Sequence, residues 1–559
     1  MGVTPQGNRD RWILAAVVLA AVAVHLRVLG NGFVNFDDVF YITRNPLIAA
    51  LSPANLRSWF AGFYFGNYQP LTLLSLALDH RLAGPDPRVF HAVNLLLHAG
   101  NTLLVFHLVR LLFARERGPW LAAATAALFA VHPLLVESVA WAAQRKDVLY
   151  ALFYLGSLVA YVAHAQRPPG GSRRLHAASV LLFVLSLLSK AMAVSLVGAI
   201  LAVDLYLRRL PRRPGREGGE TSRPTRAAYL REKLPFLLLA LAAGVTAVLA
   251  QRSAAFLGAP ALHTPLQRAA IAGYGFAHYA AKLVLPLGLS AYHPYPAMGG
   301  GVPPGFLPHL AFVAAAAAGF VLALRRHPAA AFATLFYLVN ILPVLQWLPV
   351  GDFIVAERFA YLASIGVFLL MALGLRSLAG RRRRLRAPLT AAFLAYLVLL
   401  GALTDRRCGV WRDSVTLWND VLDRYPDTPL ALNNRGLAWA ERGDRAAALA
   451  DLDRALRLDP RYADALGNRG VVKGERGDYD GAIADFDEAL RLAPAFAAAR
   501  AGRADALFRR GVARFQAADY AGAVADFERV AAGRPDYPGV RQNLNAARSR
   551  LHGLNGGGG

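Results

Sequence analysis

The chain contains one cysteine, Cys408, and five lysines against 56 arginines. A single cysteine excludes an internal disulfide and any cysteine-based metal cluster, and it leaves the redox compartment unreadable. Charge is scarce as well, with Asp, Glu, Lys and Arg together making 17% of the residues. A small-residue cleavage site is also missing near the N-terminus. Arg9, Arg11 and the apolar run 12–29 resemble a secretory leader, but Gly30-Asn31-Gly32 is followed by Phe33. The run therefore reads as an uncleaved first span with its N-terminus inside.

Apolar sequence is abundant. Over 559 residues, 56% are hydrophobic, and the mean hydropathy is +0.35. That is membrane composition, in a chain too long for one ordinary soluble domain. A formal charge of +25 would point to nucleic acid in a soluble protein. Here the basic residues cluster between apolar runs, where the positive-inside rule accounts for them. The arginine and alanine bias suggests a GC-rich bacterial genome.

A span needs about 20 apolar residues. Runs that qualify are 12–29, 89–112, 119–136, 148–164, 175–207, 234–250, 269–287, 306–324, 329–348, 353–375 and 387–403. The run 175–207 would be about 50 Å as one helix, too long for a hydrocarbon core of about 30 Å. Arg173, Arg174, Arg208 and Arg209 flank it, so it reads as two short helices turning near Lys190. Treating 266–287 as an interfacial helix in an external loop from 251 to 304 keeps Arg325, Arg326 and the Arg381–Arg384 run inside with the basic 208–233 loop. The expectation is eleven spans, with the N-terminus inside and the C-terminus outside.

Behind this lies a repeat. Pro426, Pro460 and Pro494 recur every 34 residues, as do Gly436/Gly470 and Gly443/Gly477. That is the tetratricopeptide (TPR) period. The small residue of the first helix falls on Gly436, Gly470 and Gly511, and its large partner in the second helix on Leu452, Phe486 and Phe527. Seven extra residues, 497–503, precede the third repeat. They make two helical turns, so its first helix can lengthen without rotating its apolar face. The expected division is a membrane domain over 1–407, TPRs over 408–551 and a disordered glycine-rich tail over 552–559. The fold class is all-α, a polytopic helical domain followed by an α-solenoid.

Unusual polar residues gather at one membrane face. Asp37 and Asp38 follow span one. His132, Glu137, Trp141, Arg145 and Asp147 bridge spans three and four. Lys190 sits at the hairpin turn, Tyr292 follows the interfacial helix, and Glu357, Arg358 and Tyr361 open span ten. A carboxylate just outside the bilayer can take the proton from a hydroxyl as that oxygen attacks an anomeric carbon. A phosphate leaving group needs cations rather than a general acid, and Arg358, Lys190 or Arg145 could supply them. Adjacent aspartates diverge in extended chain. One could be the base while the other orients it or holds a divalent cation. Asp204 and Arg208, at i and i+4 on the inner side, read as a structural pair. The other class of reading is a non-catalytic membrane-anchored TPR scaffold for envelope assembly.

Several motifs together resemble one family. They are Asn35-Phe36-Asp37-Asp38, Tyr68-Gln69-Pro70-Leu71-Thr72, the stretch Phe90 to His98, His132-Pro133 with Glu137 and Ala140-Trp141, Ala356-Glu357-Arg358 with Tyr361-Leu362, and Trp411-Arg412-Asp413-Ser414 leading into TPRs. The chain resembles the transmembrane-and-TPR (TMTC) family and its bacterial relatives over residues 10–550. The resemblance implies a GT-C membrane glycosyltransferase fold and an inverting mechanism. It implies a polyprenyl-phosphate sugar donor, dolichyl-phosphate mannose in the eukaryotic branch, and a protein Ser/Thr hydroxyl as acceptor. It also implies a catalytic acid in the first external loop, matching Asp37 and Asp38. The location it implies is a bacterial inner membrane with periplasmic TPRs, or an ER membrane with luminal ones. In contrast to the usual TPR pattern, the first-helix aromatic is kept as Trp439 but becomes Lys473 and Arg514.

Overall fold

The computed structural model describes residues 5–114, 118–167, 172–210, 225–253, 264–296, 302, 304–347 and 351–556. The chain divides into two compact units, Met1–Asp413 and Ser414–Gly559.

The first unit is helical. α1 (Pro5–His25) precedes a loop that carries α2 (Pro53–Ala61) and α3 (Pro70–Ala83). α4 (Pro87–Leu112), α5 (Gly118–Val131), the short α6 (Val136–Ala140) and α7 (Arg145–Ala165) follow, then α8 (Arg173–Ser189) and α9 (Leu196–Tyr206), joined by a 3-10 turn over Ala191–Ser195. α10 (Arg226–Ser253), α11 (Pro265–Val284), α12 (Leu307–Arg326), α13 (Pro328–Ile341), α14 (Ser364–Arg381) and α15 (Arg386–Cys408) complete it. Among the described residues seven helices are long and apolar enough to cross a membrane, or eight if the bent pair around His132 is one span. The other spans of the expected eleven are shorter: α8, with 17 residues, and the apolar segments Ala191–Tyr206 and Pro328–Val344. α11 is not among the helices long and apolar enough to cross.

Two expected spans start or run differently. The run 119–136 bends by 55° between α5 and the segment from Pro133, because proline there supplies no backbone donor to continue the helix. The run 353–375 becomes helical only at Ser364. Its first residues, Phe353–Val355, form an antiparallel two-stranded ladder with His293–Pro294, and Glu357–Ala360 is a 3-10 turn. Residues 211–224 of the basic loop, and 254–263, 297–301 and 303 of the external loop, lie outside the described residues. The core joins Phe106 of α4, Phe129 of α5, Tyr154 of α7, Phe332 of α13 and Phe368 of α14, all buried. α10 and α12 bury 11% and 0% of their apolar windows, as lipid-facing helices do.

The second unit is a solenoid. α16 (Ser414–Leu422) leads into the pairs α17 (Pro429–Glu441)/α18 (Arg445–Leu458), α19 (Ala463–Glu475)/α20 (Tyr479–Leu492) and α21 (Ala497–Gln516)/α22 (Tyr520–Gly533). α23 (Val540–Gly556) closes it, and Gly557–Gly559 lie outside the described residues. α21 has 20 residues against 13 in α17 and α19, so the seven extra residues lengthen that helix. A Cβ on Gly436 or Gly470 would meet Leu452 or Phe486 at 3.0 Å, and one on Gly511 would meet Phe527 at 2.8 Å. Glycine lets the paired helices approach this closely without displacing those side chains. Each repeat also carries a fork that the periodic residues did not announce: Arg435 on Asp451, Arg469 on Asp485 and Arg510 on Asp526.

Candidate functional site

The site begins where α1 ends. Asn31 to Asp38 leave the helix end, and the Asp37 carbonyl accepts from the amides of Phe40 and Tyr41, starting a short π turn over Val39–Thr43. The two aspartates part as adjacent residues must. Asp38 turns inward and is buried. Its Oδ2 accepts from the Val34 amide at 2.9 Å and its Oδ1 from the Ala143 amide at 2.8 Å. Burial pushes its pKa from the ordinary 3.8 up to about 7, and the two amides pull partly against that rise. Asp37 turns outward, with its side chain 25% exposed, and holds Lys146 Nζ at 3.3 Å.

Lys146 lies in the first turn of α7, between Arg145 and Asp147. Successive residues of a helix point about 100° apart, so these three side chains leave in three directions. Lys146 reaches Asp37 and lies 4.7 Å over the Tyr41 ring. Asp147 accepts from Ser138 Oγ at 3.2 Å and pairs with Lys190, which the α8/α9 turn presents. Arg145 turns away and is fully buried. It donates to Asp79 at 2.6 Å, Ser75 at 2.7 Å and the Phe90 carbonyl at 2.9 Å, and its Nε bonds Asn94. Its donors are spent on α3 and α4, apart from the cluster.

Arg358 closes the site from the other side. Its guanidinium pairs with Glu137, its backbone amide donates to the same carboxylate at 3.1 Å, and it stacks over Trp141, Phe353 and Phe359 at 5.1 to 5.4 Å. Lys190 lies 5.6 Å over the same Phe359. Trp141 is held between Phe36, parallel within 4° at 4.7 Å, and Trp411 at 5.1 Å. Three cations, Lys146, Lys190 and Arg358, thus share one face with Asp37, Glu137 and Asp147. Arg358 feels the charges of all three carboxylates.

Of the residues singled out from sequence, Asp37, Asp38, Glu137, Trp141, Asp147, Lys190 and Arg358 come together. Glu357 points behind them, accepting from the Ser290 amide, with Arg407 at 3.5 Å and His293 at 3.9 Å. Tyr292 donates to the Asp352 carbonyl at 2.6 Å. Tyr361 is buried against His98 at 2.7 Å and Asn101 at 3.1 Å. His132 accepts from the Leu134 amide at 3.2 Å beside Phe368. Tyr41 and Phe359 carry the cluster without having stood out in sequence, and Lys146, seen there only within the Arg145-Lys146-Asp147 run, was not among the candidate site residues. Among the described residues no group of three or more His, Cys, Asp or Glu side chains could hold a metal ion. With Asp38 engaged by amides and Asp37 by Lys146, the paired aspartates do not present a divalent cation with a ligand set.

A tetratricopeptide-repeat family model matches residues 399–463, 440–495 and 468–538. A protein O-mannosyl-transferase of Caenorhabditis elegans is 25% identical over 473 residues, 82% of this chain and 64% of that protein. The human protein O-mannosyl-transferase TMTC1 is 27% identical over 529 residues, 83% of this chain and 56% of that one. The Drosophila melanogaster Tmtc1 is 33% identical over 196 residues, 34% of this chain and 22% of that one. The chain thus spans about three-fifths of the first two relatives. Undecaprenyl-phosphate-bound ArnT from Cupriavidus metallidurans aligns at 13% identity over 83% of this chain and 79% of that one, with a TM-score of 0.37, too low to carry the fold. With a polytopic unit ahead of its repeats and alignments that reach into both, the chain is similar to the transmembrane-and-TPR proteins.

Proposed function

We propose that the cluster around Asp37 transfers a sugar, mannose by analogy with the relatives, from a polyprenyl phosphate to a protein serine or threonine hydroxyl at the non-cytosolic face. One observation carries the reading: a part-exposed carboxylate paired to Lys146 at 3.3 Å, on a face shared with two further cations.

Asp37 accepts the hydroxyl proton while the acceptor oxygen bonds to the anomeric carbon. The bond from that carbon to the phosphate oxygen breaks on the opposite face, which inverts the anomeric configuration. The polyprenyl phosphate leaves with the electron pair, and Lys146, Lys190 and Arg358 offset its developing charge. Asp38 fixes the loop through Val34 and Ala143 and so positions Asp37. An apolar cavity of about 180 Å³ between α8 and α10, lined by Leu187, Leu188, Ala191, Leu239 and Ala243, adjoins the Lys190 turn. It suits the isoprenoid next to the phosphate. In this reading the TPRs present the acceptor. A bacterial inner membrane with periplasmic repeats fits the composition, and an ER membrane with luminal repeats fits the eukaryotic relatives.

The full-length protein in liposomes, given polyprenyl-phosphate mannose and a threonine peptide, should yield a peptide heavier by one hexose. Asp37→Asn should cut turnover about 10²- to 10⁴-fold without lowering the melting temperature. Undiminished turnover in that variant would reject the site.

A further inference from the structure

The Tyr68-Gln69-Pro70 motif has no part in the transfer step, yet it divides two cavities. Tyr68 lines the apolar cavity between α8 and α10, while Asn67 and Gln69 line a second one, of about 420 Å³, within the first external loop. Residues i and i+2 face one side and i+1 the other, as in any extended segment. A bridge between Tyr64 and Asn67, with both backbone bonds at 2.9 Å, pins the partition.

The second cavity has ligand-site dimensions. Its polar wall is Arg57, Ser58, Trp59, Tyr64, Asn67 and Gln69, and none of the described residues that line it is acidic. Arg57 is exposed and makes no ion pair or side-chain hydrogen bond with any described residue. The Trp59 indole nitrogen, buried in the wall, has no hydrogen-bond partner among the described residues. Buried donors are ordinarily paired, and a small shift of the Trp59 ring toward an occupant would pair this one. The wall thus offers donors and one uncompensated cation, so an occupant complementary to it accepts hydrogen bonds and carries negative charge.

The cavity also adjoins the reaction centre. Asn67 Nδ2 donates to the Tyr41 hydroxyl at 3.3 Å, and the Tyr41 ring carries Lys146, the partner of Asp37. One side chain separates the cavity from the pair at the proposed base.

We propose that this cavity is the acceptor subsite and takes an extended polypeptide with an aspartate or glutamate beside the hydroxyl to be modified. Backbone carbonyls of the peptide accept from the wall, and its carboxylate pairs with Arg57. The inference rests on the transferase reading but is tested apart from it, by binding without a sugar donor.

The full chain carrying Asp37→Asn, in nanodiscs of neutral lipid, is titrated with two fluorescent peptides. Each has one central threonine, flanked by aspartates in one and by lysines in the other. The aspartate peptide should bind at least about tenfold tighter, Arg57→Glu should reverse the order, and Arg57→Lys should keep it, which also controls for folding. Equal binding of the two peptides, or a preference unmoved by Arg57→Glu, overturns the proposal. So does a loss of phosphatidylglycerol-vesicle binding in Arg57→Glu with peptide binding intact, which would make the cavity a lipid-headgroup site. Arg57-dependent binding in a wild-type chain that transfers no sugar would instead reject the transferase reading alone.

Discussion

Helix α7 carries an ionic cluster at each end, on the order of 20 Å apart along its axis, and the two are built differently. At the N-terminal end Asp37 is a quarter exposed and keeps one oxygen clear of Lys146, while Lys146, Lys190 and Arg358 crowd one face. At the C-terminal end Asp204 is buried and saturated. It holds the Tyr161 hydroxyl at 2.6 Å, the Tyr229 hydroxyl at 3.0 Å, Lys233 at 2.8 Å and Arg209 at 3.2 Å. Glu232 meets Arg209 at 3.1 Å, Lys233 at 2.7 Å and His164 at 3.5 Å. A network that engages both oxygens of Asp204 and of Glu232 ties α7, α9 and α10 together. An open one retains capacity for a substrate. Both consist of the same residue types, so what separates them is unsatisfied hydrogen-bonding capacity beside an exposed edge.

The largest effects should come from breaking buried pairs. Asp204→Asn removes one partner of a buried ion pair and should lower stability by about 3–5 kcal/mol, with turnover per folded molecule unchanged. Chemical denaturation of the detergent-solubilised full chain measures this, and a selective loss of turnover would erase the contrast between the clusters. Arg145→Gln should act in the same way, since that guanidinium is spent on Asp79, Ser75 and Asn94.

Lys146→Gln should do the opposite. Removing one cation from the leaving phosphate should cut kcat about 10²- to 10³-fold while the denaturation midpoint holds. An intact kcat would move Lys146 out of the reaction centre.

The smallest effect sharpens the contrast through pH. The Asp38 pKa is raised from 3.8 to about 7, so its contribution to stability is complete below the lower value and disappears as pH rises through the higher one. The melting temperature should therefore fall by a few degrees between pH 5 and pH 8, and Asp38→Asn should flatten that slope. A wild-type slope unchanged by the substitution would mean that Asp38 titrates normally.

Much of this organisation can be read along the chain. The repeats recur in register, and Gly436, Gly470 and Gly511 meet the large residues expected of them. The divergence of Asp37 from Asp38 follows from backbone geometry, though which of them stays exposed does not. Arg145 reads from sequence as a phosphate-binding candidate alongside Arg358 and Lys190, yet Asp79, 66 residues away, claims it. The partner expected for Asp204 was Arg208. α9 ends at Tyr206, Arg208 takes a positive φ of 56°, and the chain folds back so that Arg209 lies over Asp204.

Sequence alone determined what depends on neighbours along the chain: apolar run length, the 34-residue period, and the residue types available at one membrane face. Tertiary structure decided which carboxylate is buried, which of two adjacent cations meets Asp37, and where the bent segment carries Glu137 against Arg358. Those choices depend on side-chain direction and on partners tens to hundreds of residues away, and no local pattern records either.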